Sequence, residues 1–182
     1  MSTPSAKLTV LVGKQFACIR IAGRANFTSS VDFKTLVQEL REKGYGYFVL
    51  DVTECALMDS TFLGLLAGFG LKMGGPPTEG SKRGIVLLNP NPRITELLEN
   101  LGVIDLFRTA QGTSELPCDG EPVSPKFQEP SREEVTRACL EAHQVLSAIS
   151  PENAARFKDV TQFLKEDLQK LKTEPQTNEP QA

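Results

Sequence analysis

The chain has 182 residues, is 40% hydrophobic and carries a formal net charge of −3. That length accommodates one domain with extensions and a sizeable buried core. The mildly acidic balance argues against duplex nucleic acid and anionic membrane as partners, since both favour a broad cationic surface.

Leu8–Val12 and Phe16–Ala22 are short β-type runs joined by Gly13-Lys14-Gln15. In the second, Ala17, Ile19 and Ile21 alternate with Cys18 and Arg20, so the pair reads as an antiparallel hairpin. Asn26, Thr28 and Ser29 offer N-caps for a helix running to about Lys43. Its apolar positions Val31, Phe33, Leu36, Val37 and Leu40 recur at helical spacing, and Gly44 stops it. Tyr47–Val52 is continuous and β-rich without alternation, as in a strand central to a parallel sheet. After a short loop, Ser60–Met73 reads as an apolar helix ended by Gly74-Gly75-Pro76-Pro77. Gly64 and Gly68 are read as allowing that helix to approach the sheet closely. Gly84–Leu88 is a further strand, and Asn89-Pro90-Asn91-Pro92 reads as a loop able to cap a helix from about Arg93 to Leu101. Gly102 closes that helix, and Ile104–Phe107 is read as the last strand.

The resulting order, β-β-α-β-α-β-α-β, predicts an α/β domain over residues 5–112. It would hold a mixed β-sheet with βαβ crossovers and helices packed on it. Residues 113–130 hold four prolines and few apolar side chains, and read as a linker. Residues 131–172 form an amphipathic two-helix extension. Ser131 and Glu134 are spaced as a capping box, and Ser150-Pro151 opens the second helix. Val135, Cys139, Ala142, Val145, Leu146 and Ile149 share one face of the first helix. Phe157, Val160, Phe163, Leu164, Leu168 and Leu171 form the stripe of the second. Residues 173–182 read as a disordered tail.

The functional signal is concentrated between Phe48 and Met73. Asp51 and Thr53 close a strand, and functional groups in open α/β sheets collect at such carboxyl ends. Asp59, Ser60 and Thr61 then stand at a helix start, where free backbone N–H groups and the helix dipole suit either a side-chain cap or a phosphate. On the residues alone, Ser60 reads as a cap or as a switch. Phosphorylation would add roughly −1.5 to −2 charges there, favoured by the helix end and opposed by nearby carboxylates.

The whole arrangement, with LDVTECALMDSTFLGLL at its centre, resembles the STAS domain, the fold of anti-sigma factor antagonists. Asp51 matches the strand-end aspartate of that family. Asp59, Ser60 and Thr61 match its Asp-Ser-Ser/Thr element, and Leu63 and Gly64 match the Leu-Gly that follows. The resemblance implies that Ser60 is the acceptor of a phosphoryl group from a partner that is both serine kinase and anti-sigma factor. It also implies a switch surface of Asp51, Thr53, Asp59, Thr61, Phe62 and Asn26. Phe62 departs from the pattern, replacing a glycine, and is expected beside Ser60 as a steric or hydrophobic element. Gly23-Arg24-Ala25-Asn26 stands where the family has a Gly-x-Leu-Asp-like turn bordering the partner surface. The C-terminal helices have no counterpart in the minimal domain.

Other classes fit less well. Leu57–Phe62 is not a G-x-S-x-G elbow, and no Walker motif follows Gly74-Gly75. The single histidine, His143, lies in the extension and reads as a surface residue rather than a base. No enzyme activity, cofactor or metal site is expected. Cys18, Cys55, Cys118 and Cys139 never form CxxC, which favours reduced thiols in a cytoplasmic protein. The polar opening MSTPSAK lacks a signal-peptide core, and the apolar run Phe62–Leu71 is too short to span a membrane. The alternative reading is an unphosphorylated scaffold whose C-terminal helices contact a partner or a second copy as a homodimer.

Overall fold

The computed structural model describes residues 5–112 and 122–174. Strands β1 (Lys7–Val12) and β2 (Phe16–Ala25) form the predicted hairpin, in register from Lys7 opposite Ala22 to Val12 opposite Ala17. β2 continues past Ala22 through the stretch read as a turn. Its end, Gly23–Ala25, pairs in parallel with β4 (Cys55–Met58), which the sequence suggested was loop. A four-residue strand with a register shift at its partner carries too little periodicity to be recognised.

Between them lie α1 (Phe27–Glu42) and β3 (Tyr47–Asp51). α2 (Ser60–Met73), β5 (Gly84–Leu88) and α3 (Pro92–Asn100) follow as predicted. The predicted strand at Ile104–Phe107 is corrected. Ile104–Leu106 is a single 3₁₀ turn, and the strand is β6 (Arg108–Ala110). Ile104 and Leu106 pack on the core from this turn, and an apolar run reports burial rather than backbone conformation. The sheet order is β1-β2-β3-β5-β6, with the β1–β2 pair antiparallel and the other neighbours in that order parallel.

One face of the sheet carries the main core. Ile19, Ile21, Phe48, Leu50, Ile85 and Leu87 meet Phe33 of α1 and Phe62, Leu66 and Phe69 of α2. The rings interlock, with Phe33–Phe62 and Phe48–Phe69 centroids both 5.0 Å apart. A smaller cluster of Leu11, Cys18, Val49, Val86 and Leu88 occupies the other face.

The extension forms a third layer. α4 (Arg132–Ile149) begins with the predicted Ser131/Glu134 capping box, and α5 (Pro151–Thr173) begins at Ser150, which caps it. Arg132 near the start of α4 bonds Asp167 near the end of α5 at 3.1 Å, so the two form an antiparallel hairpin. α4 lies across α2 and α1. Asn153 Nδ2 donates to the Leu101 carbonyl at 2.9 Å, anchoring the start of α5 beyond the end of α3. Part of the predicted linker is also structural. Val123 exchanges two backbone hydrogen bonds of 2.8 Å with Val10, covering part of the edge of β1. Residues 113–121 of the linker and 175–182 of the tail lie outside the described residues.

Candidate functional site

Asp59, not Ser60, caps α2. Its Oδ1 accepts the Phe62 amide at 2.9 Å, and its Oδ2 accepts the Phe27 amide at 2.7 Å. One carboxylate therefore ties together the starts of α1 and α2. Asn26, the cap of α1, accepts the Thr28 and Ser29 amides beside it. With Asp59 and Asn26 serving the amides, the Ser60 hydroxyl is left over for another partner.

That partner is His143. Ser60 Oγ lies 2.9 Å from His143 Nε2, and His143 Nδ1 lies 2.7 Å from the Cys139 carbonyl oxygen. A carbonyl only accepts, so Nδ1 carries a proton. In the neutral tautomer Nε2 then accepts from the serine O–H. The reading of His143 as a surface residue is thus corrected: it is 5% exposed, packed edge-on against Phe157 at 5.3 Å. A histidine and a serine 83 positions apart give no local pattern, so sequence reasoning had nothing with which to join them.

The same face of α4 continues down α2. Thr61 Oγ1 donates to Cys139 Sγ at 3.6 Å, and Lys34 of α1 meets Glu141 at 2.6 Å. A Cβ on Gly64 would sit 2.4 Å from the Ala142 carbonyl oxygen, and one on Gly68 would sit 3.4 Å from Val145. Both glycines therefore face α4, not the sheet, which corrects the expected role of both, and Gly64 is the one whose missing Cβ the contact requires. Cys139 lies in this seam, where burial raises its thiol pKa, the Thr61 hydrogen bond lowers it and the Asp59 charge adds to the rise.

The remaining predicted residues divide between two places. Asp51 is buried, accepting from Arg20 Nε at 3.1 Å and from the Thr53 hydroxyl at 2.5 Å. Thr53 Oγ1 accepts from Asn89 Nδ2 at 2.9 Å, and Asn89 has a left-handed backbone with φ of 55°. Asn89 exchanges two further bonds with Gly112, tying the carboxyl ends of β3 and β5 to the segment after β6. The sequence marked Asn89 only as a loop residue. Phe62 is corrected: it is fully buried against Phe33 and presents nothing to a partner. The backbone explains this, since Ser60 and Phe62 lie two positions apart on a helix and so face different ways.

A serine hydrogen-bonded to an imidazole that is itself oriented by an acceptor has two parts of a nucleophile–base pair. A cleft of about 770 Å³ does open nearby, between α1, α2 and α4, but neither Ser60 nor His143 lines it. Among the described residues no cluster of three metal-ligating side chains occurs, and no helix is long and apolar enough to cross a membrane.

A family model described as the STAS domain matches residues 8–116. No curated protein matches the chain in sequence. Among solved structures, an anti-sigma factor antagonist from Mycobacterium paratuberculosis is 15% identical, covering 60% of this chain and 89% of its own, with a TM-score of 0.50. The anti-sigma factor antagonist SpoIIAA in its unphosphorylated form is 18% identical, covering 61% of this chain and 92% of its own, with a TM-score of 0.47. The Bacillus cell fate determinant SpoIIAA in its phosphorylated form is also 18% identical, covering 58% and 91%, with a TM-score of 0.45.

Proposed function

The chain belongs to the STAS domain family, and from that premise we propose that it is a regulatory protein-binding module switched by phosphorylation of Ser60. The observation that carries this reading is the division of labour at the start of α2. Asp59 does the capping, so Ser60 presents a hydroxyl that the helix does not need for its own termination. The partner would be a serine kinase of the anti-sigma factor type, using a nucleoside triphosphate. Transfer forms an Oγ–P bond, breaks the terminal phosphoanhydride bond, and releases the nucleoside diphosphate and the hydroxyl proton. The added charge would be favoured by the α2 N-terminus and opposed by the Asp59 carboxylate. Thr53 and Asp51 would act at one remove, holding the strand ends from which the surface is built.

Phosphate-affinity gels of protein from native cells, compared with Ser60→Ala, test the assignment. A retarded band that depends on Ser60 supports it. The same band in Ser60→Ala, or none under any growth condition, overturns it.

A second reading, a scaffold without phosphorylation, is favoured by one observation. The hydroxyl is already engaged by His143, while Phe163 of α5 is 65% exposed and available for assembly. In that case the gels stay unshifted, and replacing Phe163 with Ser abolishes partner capture.

A further inference from the structure

We propose that the α4–α5 hairpin is a cis occupant of the Ser60 face, and that hairpin closure and phosphorylation of Ser60 exclude one another. This rests on the reading of Ser60 as the phosphoacceptor and specifies how that site is regulated. The modified chain is then the open one.

The seam is built for a helix. Gly64 lets the α4 backbone at Ala142 approach to a distance no side chain would permit. Gly68 accommodates Val145 one turn further along α2. Thr61 engages Cys139, and Lys34 of α1 engages Glu141 across the flank. The surface on α2 is therefore a groove for a helix with an alanine-sized residue at the crossing, and α4 supplies that residue. A partner helix using this face competes with α4. Its apparent affinity is reduced by the fraction of chains that are closed.

Ser60 sits at the end of the groove, where 2.9 Å separates Oγ from Nε2. That is the length of a direct hydrogen bond, with no gap for a phosphorus atom and three oxygens. Phosphorylation also removes the O–H that the neutral imidazole accepts at Nε2. His143 cannot simply turn aside, because Phe157 packs against its ring and the Cys139 carbonyl holds Nδ1. Asp59 lies next to the seam and adds like-charge repulsion to any phosphate held there. Glu141 of α4 and Lys34 of α1, which also meet at the seam, form an ion pair with each other. Conversely, a kinase reaches the half-buried hydroxyl only when the hairpin has lifted.

The test needs neither kinase nor partner. Phosphoserine is placed at position 60 of the full chain during translation. Amide hydrogen exchange is then followed by mass spectrometry, beside wild type, Ser60→Ala and Ala142→Arg. The last variant opens the hairpin by overfilling the Gly64 contact. We expect residues 132–173 of the phosphoserine protein to exchange at least tenfold faster than wild type and to match Ala142→Arg. Peptides of β3 and β5 should stay protected, and Ser60→Ala should stay closed. Wild-type protection over 132–149 in the phosphoserine protein would overturn the proposal. So would equal loss of protection in β3 and β5, which would show general unfolding rather than hairpin release. Since the modification is installed, this outcome is independent of whether cells phosphorylate Ser60.

Discussion

Gly64→Ala is the most direct probe of the α2–α4 seam. The new Cβ would lie 2.4 Å from the Ala142 oxygen, 2.7 Å from its carbonyl carbon and 2.9 Å from its Cβ. None of these atoms is the end of a flexible side chain, so α4 itself must shift or lift. Overpacking of this kind costs about 1–3 kcal/mol. Replacing glycine by alanine inside a helix also gains about 1 kcal/mol. That gain applies to α2 whether or not the hairpin is docked, so it cancels from the opening equilibrium. Amides of α4 should therefore exchange roughly 5- to 150-fold faster. Amides of β3 and β5 should change less, since the helical gain offsets part of the docking loss. Gly68→Ala is the internal control, because its Cβ would make only an ordinary 3.4 Å contact with Val145. It should raise overall stability by up to about 1 kcal/mol without loosening α4. Unchanged or increased α4 protection in Gly64→Ala would refute the close backbone approach on which the seam depends.

Asn153→Ala removes the buried hydrogen bond to the Leu101 carbonyl, and should cost about 1–3 kcal/mol in chemical denaturation, with α5 exchanging faster than α3. Burial, with the Asp51 charge adding to it and Arg20 opposing it, pushes the Cys18 thiol up to about 11 from a usual 9.0. Between those values the unfolded chain loses its thiol proton and the folded chain keeps it. Stability should therefore fall as pH rises from about 9 towards 11. Cys18→Ala should flatten that slope in denaturation midpoints measured across the range, and an equal slope would contradict the assignment. Ser60→Glu and wild type used as parallel baits in native lysate should capture different partners while circular dichroism of the two proteins stays alike. Identical captures would argue against a charge-sensitive surface.

Much of the fold was legible because the elements that carry it are long or strongly patterned. The alternation of Ala17, Ile19 and Ile21 declared β2, and the stripe from Val31 to Leu40 declared α1. Capping chemistry located the starts of α4 and α5 at Ser131 and Ser150. β4 was not legible, since its four residues are held by pairing with the end of β2 rather than by any preference of their own. Phe62 was misplaced for a related reason. Adjacency to Ser60 in sequence says nothing about which way a helical side chain points, and Phe62 turned into the core against Phe33.

The sequence by itself determined a mixed α/β domain, a helix beginning at Asp59-Ser60, and an amphipathic helical pair with a face to bury. Each follows from local periodicity or from a cap, which short stretches of chain specify alone. Only the tertiary structure decided where that face goes. It set His143 on Ser60, Ala142 on Gly64 and Val145 on Gly68, through contacts spanning the whole domain and the linker. Such contacts depend on how layers stack: a glycine spacing or an apolar stripe marks a face that packs closely, but nothing in either partner names the face it meets.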